Sequence, residues 1–138
     1  MKVVINRCFG GFGLSRKAIE KYGELIGKRF YFYKQTQYRH NGGKDEYQLI
    51  GENEDSFWAT TVDEFLGDTL DKFPEGHYFS YYGIDRTDSN LVKVVEELGN
   101  EANGKCAKLE VVEIPDGVSW EIADYDGSEH IAECHRTW

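Results

Sequence analysis

Three cysteines and a late histidine, Cys8, Cys106, Cys134 and His135, are the residues of this chain with the most chemistry open to them. Zinc takes thiolate and imidazole ligands in a tetrahedron, and ligands drawn from separate strands can staple a sheet whose ends would otherwise fray. The four therefore predict one structural zinc, a closed site whose ligands are consumed in binding and which performs no catalysis. Two features weigh against it. No Cys-x-x-Cys pair is present, and residues 134 and 135 point to opposite faces of a regular strand, so both reach one ion only where the terminus leaves strand geometry. His130 lies roughly 13 Å from Cys134 along an extended strand, too far to share that ion. The plainer reading makes Cys8 and Cys106 small buried hydrophobes.

A second chemistry starts from position. The stretch Lys2 to Ser15 reads as a buried strand (Val3, Val4, Ile5) running through a glycine turn into a helix, a junction that aims backbone N–H groups and Cys8 at one spot. Cys8 can there act as a nucleophile with His135 or His130 as base and Asp85 or Asp88 as orienter. Widely separated cysteines and histidines coincide by chance in most chains, so the expectation is a protein that is not an enzyme. The same turn offers Gly10, Gly11 and Gly13, with Arg86 as charged partner, as an anion nest for a nucleotide or other small ligand. These glycines match neither the P-loop nor the GxGxxG pattern, and a tight strand-to-helix turn explains them as well.

The fourth constellation is a surface. Tyr38, Tyr47 and Trp58 stand among the carboxylates Glu52, Glu54, Asp55, Asp63 and Glu64, and exposed aromatics beside acids suit protein recognition. Phe30 to Tyr33, Tyr78, Phe79, Tyr81 and Tyr82 add to an aromatic content that one side of a small sheet cannot hold, unless both of its faces are covered.

The 138 residues, 40% hydrophobic and 14% aromatic, are enough for one compact domain spanning 1–138. Sixteen basic against 25 acidic residues give a net charge of −9, which repels a phosphate backbone and disfavours direct nucleic-acid binding. The same charge suits a basic, nucleic-acid-binding groove on another protein. No apolar run reaches the ~18 residues of a membrane span and no secretory pattern opens the chain, so a cytoplasmic protein with reduced thiols is expected.

The elements that must position these residues follow from period and punctuation. Ser15 is placed to cap a helix carrying Ala18, Ile19, Tyr22, Leu25 and Ile26 that stops at Gly27 and is weakened by Gly23. Arg29–Tyr38 and Tyr47–Ile50 predict a hairpin, followed by a short strand near Trp58, and Thr61 predicts a helix through Val62, Phe65, Leu66, Leu70 and Phe73 up to Pro74. His77–Tyr82 predicts a further strand, and Thr87 or Asp88 caps a helix from Leu91 to Leu98 that ends at Gly99. Cys106–Ile114 predicts a strand, and Val118–Tyr125 with Ser128–His135 a C-terminal hairpin about Asp126-Gly127, with Ile122 facing Ile131 and Ala123 facing His130. The class is α+β: a mixed or mainly antiparallel sheet, about three helices and a C-terminal β-hairpin.

The segments MKVVINRCFGGFGLS, DRTDSNLVKVVEELG, GKCAKLEVVEIPDGVSWEI with YDG, and HRTW resemble a family of small proteins encoded by bacteriophages and prophages. The resemblance covers both ends of the chain, while residues from about Gly27 to Phe79 look particular to this member. It implies an origin, and by analogy of build an anti-defence protein of the anti-CRISPR kind. The expectation is an inhibitor that binds a host defence protein, with CRISPR effectors such as Cas9 the favoured target class, in the host cytoplasm.

Overall fold

The computed structural model describes residues 1–37, 43–51, 57, 59–62, 65–73 and 75–133, with the backbone alone given at 59–62. In chain order its elements are β1 (Lys2–Asn6), α1 (Arg16–Ile26), β2 (Phe30–Gln37), β3 (Glu46–Leu49), β4 (Ala59–Val62), β5 (Thr69–Leu70), β6 (Tyr78–Phe79), α2 (Ser89–Leu98), β7 (Leu109–Glu113), β8 (Trp120–Tyr125) and β9 (Ser128–Glu133). Short 3₁₀ turns occupy Tyr81–Gly83 and Gly99–Ala102. The class is α+β, as expected, and every ladder among the described residues is antiparallel. The chain divides into two compact units, Met1–Tyr22 with Tyr81–Trp138, and Gly23–Ser80.

In the first unit β1 pairs with β7, Lys2 opposite Glu113 through Asn6 opposite Leu109. Val3 and Ile5 close on Ile114, and Val112, Val118, Trp120, Ile122 and Ile131 pack around them. Complete burial of side chains such as Val3 and Ile5 contributes about 1.5–3 kcal/mol each, and the partly buried residues around them contribute less. The C-terminal hairpin is present in the expected register, Ile122 opposite Ile131 and Ala123 opposite His130. Its turn residues Asp126 and Gly127 both have positive φ, 51° and 90°, the conformation that matches a two-residue turn to strand twist.

Helix caps follow the sequence closely. Ser15 Oγ accepts the Ala18 N–H at 3.1 Å at the start of α1. Asp88 Oδ1 accepts the N–H groups of Asn90 (2.8 Å) and Leu91 (3.1 Å) at the start of α2, which buries Leu91, Val92, Val94 and Val95 and ends at Gly99 with φ 57°. Each cap satisfies donors that the first turn leaves without a partner.

In the second unit five strands lie in the order β5-β3-β2-β4-β6. Both faces of the central strand β2 are covered by rings. Phe30 meets Phe79 and Phe32 meets Phe57 on one face, and Tyr31 meets Phe65 and Tyr33 meets Phe73 on the other. Tyr33 is fully buried and its hydroxyl donates to the Gly67 carbonyl at 2.8 Å, the partner that a buried phenol requires.

Three expectations need correction. Two α-helices form among the described residues, not about three: where a helix is expected from Thr61 to Phe73, Thr61 and Val62 belong to β4 and Thr69–Leu70 form β5. The apolar spacing fits a helix, but Thr60, Thr61 and Val62 are β-branched or flank such residues in a ladder running from Phe30 opposite Val62 to Tyr33 opposite Ala59, and Gly67 turns with φ 105°. Pairing with β2 overrides local period. The strand expected from Cys106 begins at Leu109, because Ala107 N–H closes a turn onto the Gly104 carbonyl at 3.1 Å. The strand expected over His77–Tyr82 covers only Tyr78–Phe79 before the chain enters a 3₁₀ turn.

Gly23 does not weaken α1; it makes the helix end possible. Gly27 takes φ 73° and Lys28 N–H returns to the Gly23 carbonyl at 2.9 Å, the bonding of a left-handed helix stop. A Cβ on Gly23 would stand 2.6 Å from the Lys28 oxygen and 2.8 Å from the Phe30 ring. Helix propensity alone makes Gly→Ala favourable by about 1 kcal/mol. Gly23→Ala is instead expected to destabilise by about 1–3 kcal/mol through overpacking, read as a lowered urea midpoint at unchanged slope; a raised midpoint would contradict the packing account.

Tyr22 gives the fold an alkaline limit. Burial first, then the nearby charge of Asp88 and the hydrogen bond to it, hold the phenol above its ordinary value; the hydroxyl reaches Asp88 Oδ2 at 3.4 Å. The unfolded chain therefore ionises first near pH ~10, and the stability this group contributes is complete below that pH and lost as pH rises through the folded-state value. Tyr22→Phe is expected to flatten the alkaline fall in stability relative to the natural sequence, measured by urea unfolding from about pH 8.5 to 11.

Candidate functional site

Among the described residues two polar side chains are buried, Asn6 and Glu129, and they meet at one place. Antiparallel pairing leaves alternate residues of β1 bonding away from β7, and at Val4 and Asn6 those outward groups find substitutes for a strand. Val4 N–H donates to the Arg86 carbonyl at 2.8 Å, Arg86 Nη1 donates to the Val4 carbonyl at 3.2 Å, and Asn6 N–H donates to Glu129 Oε1 at 2.8 Å. Arg86 then forks onto Glu129, Nη1 to Oε1 at 2.7 Å and Nη2 to Oε2 at 2.9 Å, while its Cζ lies 3.6 Å from the centre of the Phe12 ring. A planar cation between a carboxylate and an aromatic face is the geometry that arginine, and not lysine, satisfies.

The Asn6 side chain uses its whole hydrogen-bonding capacity. Nδ2 donates to the carbonyls of Cys8 and Gly127, both at 2.7 Å, and Oδ1 accepts from the N–H groups of Cys8 (3.2 Å) and Lys108 (2.8 Å). One amide thus ties the N-terminal turn to the hairpin turn and to the chain entering β7.

Here the structure places the glycines proposed for an anion. A Cβ on Gly127 would collide with the backbone nitrogens of Gly11 and Gly10, one on Gly10 would stand 2.9 Å from Cys106 Cβ, and one on Gly104 would stand 2.6 Å from the Gly13 carbonyl carbon. Gly10 N–H donates to the Asp126 carbonyl at 3.3 Å. Gly10 serves a close approach to Cys106, Gly127 and Gly104 close in on the backbone of Gly11 and Gly13, and the guanidinium of Arg86 is already forked onto Glu129.

The cysteines divide. Cys8 is half-buried and Cys106 exposed, the latter in left-handed backbone at φ 66°; Cys134 and His135 lie outside the described residues. Among the described residues no three His, Cys, Asp or Glu side chains gather as a metal site. The would-be orienters have local duties. Asp85 accepts from the Thr87 hydroxyl and N–H, bonds that hold its carboxyl below the usual carboxylate range, and Asp88 caps α2. His130 is exposed, on the outward side of the hairpin opposite Ala123.

Of the residues assigned to partner binding, Tyr47 is half-buried with its ring 4.6 Å from that of Phe73. Tyr38, Glu52, Glu54, Asp55, Trp58, Asp63 and Glu64 lie outside the described residues. A different acidic face stands out in the first unit. From Leu109 to Glu133 the sequence holds no lysine or arginine and carries carboxylates at 110, 113, 116, 121, 124, 126, 129 and 133. Glu110 meets Arg7 at 2.6 Å, Asp116 the N-terminal ammonium at 3.3 Å, and Glu129 Arg86. Among the described residues Glu113, Glu121, Asp124, Asp126 and Glu133 have no such cation. On the helices, by contrast, Lys2 pairs with Glu96, Lys17 with Glu101 and Lys21 with Glu97. Exposed pairs of this kind contribute little stability, but each sets a lysine beside a carboxylate, whereas the run from Leu109 to Glu133 carries its carboxylates with no lysine or arginine of its own.

At the tip of that hairpin Phe9 and Tyr125 are exposed, 61% and 75%, with ring centres 6.4 Å apart and planes at 73°. Sequence reasoning missed this pair, as it missed Asn6 and Glu129. The signal for Glu129 was available: it lies two residues from Ile131 on the same strand, and so on the inward face. Among the described residues no helix is long and apolar enough to cross a membrane. Comparison with protein-family models, curated proteins and solved structures finds no match to this chain.

Removing one charge from the buried pair leaves the other without compensation, at a cost of about 3–5 kcal/mol. Arg86 and Glu129 side chains are 19% and 7% exposed, so Glu129→Gln is expected to destabilise by roughly 3 kcal/mol, although glutamine still offers Asn6 N–H an oxygen. Guanidinium-chloride unfolding measures it; a loss under about 1 kcal/mol would show that the charge adds nothing beyond its hydrogen bonds.

Proposed function

We propose that this chain is a binding protein, not an enzyme, that inhibits a bacterial defence protein by lying against its basic, nucleic-acid-binding surface. The reading rests foremost on the cation-free run from Leu109 to Glu133, whose exposed carboxylates at 113, 121, 124, 126 and 133 have no basic partner among the described residues. A rigid hairpin with this charge is repelled by nucleic acid and attracted to the cleft that nucleic acid fills, with gains in encounter rate and selectivity. The likeness of both ends of the sequence to small phage-encoded proteins makes a CRISPR effector the favoured target class. A nucleotide pocket at the N-terminal glycines has less in its favour, since the guanidinium it needs is held by Glu129 at 2.7 and 2.9 Å.

Purified chain is expected to form a stoichiometric complex with a guide-free CRISPR effector, measured by calorimetry. Its affinity is expected to weaken several-fold as NaCl rises from about 0.05 to 0.5 M, because rim charge pairs are screened. Added guide RNA is expected to compete. Absence of any complex across a panel of such effectors, or a complex indifferent to salt and to RNA, would overturn the reading.

A further inference from the structure

The chain shows, in its own interior, what it takes to hold a guanidinium: an aromatic ring and a carboxylate. Arg86 lies 3.6 Å over Phe12 and forks onto Glu129. At the hairpin tip the same chemical set recurs without the cation. Phe9 and Tyr125 meet edge to face, both mainly exposed, and the next residue in the turn, Asp126, is an exposed carboxylate. The geometry points to this tip as the anchor of the interface, where Phe9, Tyr125 and Asp126 receive an arginine side chain from the partner's basic surface.

The tip is rigid enough to act as an anchor. Phe9 stands between Cys8, whose N–H and carbonyl are both bound by Asn6, and Gly10, whose N–H is bound by the Asp126 carbonyl at 3.3 Å. Tyr125 closes the last β8–β9 pair, opposite Ser128, whose hydroxyl donates to the Arg7 carbonyl at 3.2 Å. Asp124 Oδ1 takes Gly127 N–H at 2.9 Å across the turn. The two rings therefore sit on turns that are bonded to each other, so little backbone freedom is lost when a partner binds, which favours aromatic hot spots. Arginine is preferred over lysine because its flat, weakly hydrated cation stacks on a ring while donating to a carboxylate. A lysine ammonium gains mainly the charge.

The inference rests on the inhibitor reading for its partner, but its test does not. Octa-arginine and octa-lysine peptides, matched in charge, are titrated into labelled chain at low salt by fluorescence anisotropy. Octa-arginine is expected to bind at least about fivefold more tightly, and Phe9→Ser or Tyr125→Ser, each at an exposed ring, to remove that preference while leaving octa-lysine binding unchanged. Amide shifts on the unaltered chain are expected to concentrate at residues 8–11 and 124–127, a readout independent of any variant's folding. Equal binding of the two peptides, with shifts spread over the acidic face, would overturn the anchor and leave charge docking intact. No binding of either peptide would overturn both. A preference for arginine that survives both serine substitutions would overturn the anchor alone.

Discussion

The outer edge of β1 is the constraint on which the first unit depends. A strand whose side chains from Val3 to Asn6 are all sealed from water can leave no amide without a partner, since a buried polar group with none costs on the order of 1–3 kcal/mol. Among the described residues only β7 pairs with it as a strand. Two side chains and one carbonyl complete the other edge, and because the side chains carry opposite charge, the device that satisfies the edge also satisfies itself. Neither half works alone: Arg86 without Glu129 would be a charge in a low-dielectric place, and Glu129 without Arg86 would be the same with the other sign.

That clasp explains why so much backbone lies in contact around it. Glu129 can reach Asn6 only if the hairpin turn comes down onto the N-terminal turn, and backbone approaches so closely where one side carries no Cβ. Gly127 against the backbone of Gly10 and Gly11, and Gly104 against that of Gly13, are the places where this happens. Of the glycines that suggest a phosphate loop in the sequence, Gly10 lies against Cys106, and the turn they form is met by two other segments of the same chain. Phe9 and Tyr125 are brought to one tip as a by-product of the same approach, which is how a structural requirement supplies a surface for recognition.

Local signals were legible and long-range pairing was not. Caps at Ser15 and Asp88, stops at Gly27 and Gly99 and the register of the Asp126-Gly127 hairpin are short-range chemistry, and each stands where the residues indicate. The segment after Thr61 could be read as a helix because Val62, Phe65, Leu66 and Phe73 have helical spacing, and nothing local tells that Phe30–Tyr33 offers an edge to Ala59–Val62. Asn6 and Glu129 escaped for the same reason: a polar residue at the end of an apolar run and an acid on a hairpin both look solvated until the partner, more than a hundred residues away, is known. The aromatic abundance of β2 was visible, but its use as a two-sided core was one of two readings until the rings of Phe57, Phe65, Phe73 and Phe79 were placed.

The span of these contacts bears on how the molecule is made. Asn6 waits for Glu129 across 123 positions, and Met1 for Ile114 across 113, so β1 finds these partners only once residues more than a hundred positions later have been made. Loops of that length close slowly, and contacts so remote in sequence put a protein among slower folders. Until then Val3, Val4 and Ile5 form an unpaired apolar segment, and segments of that kind are prone to associate. The ladders of Gly23–Ser80 join segments nearer in sequence, contacts that cost less loop closure.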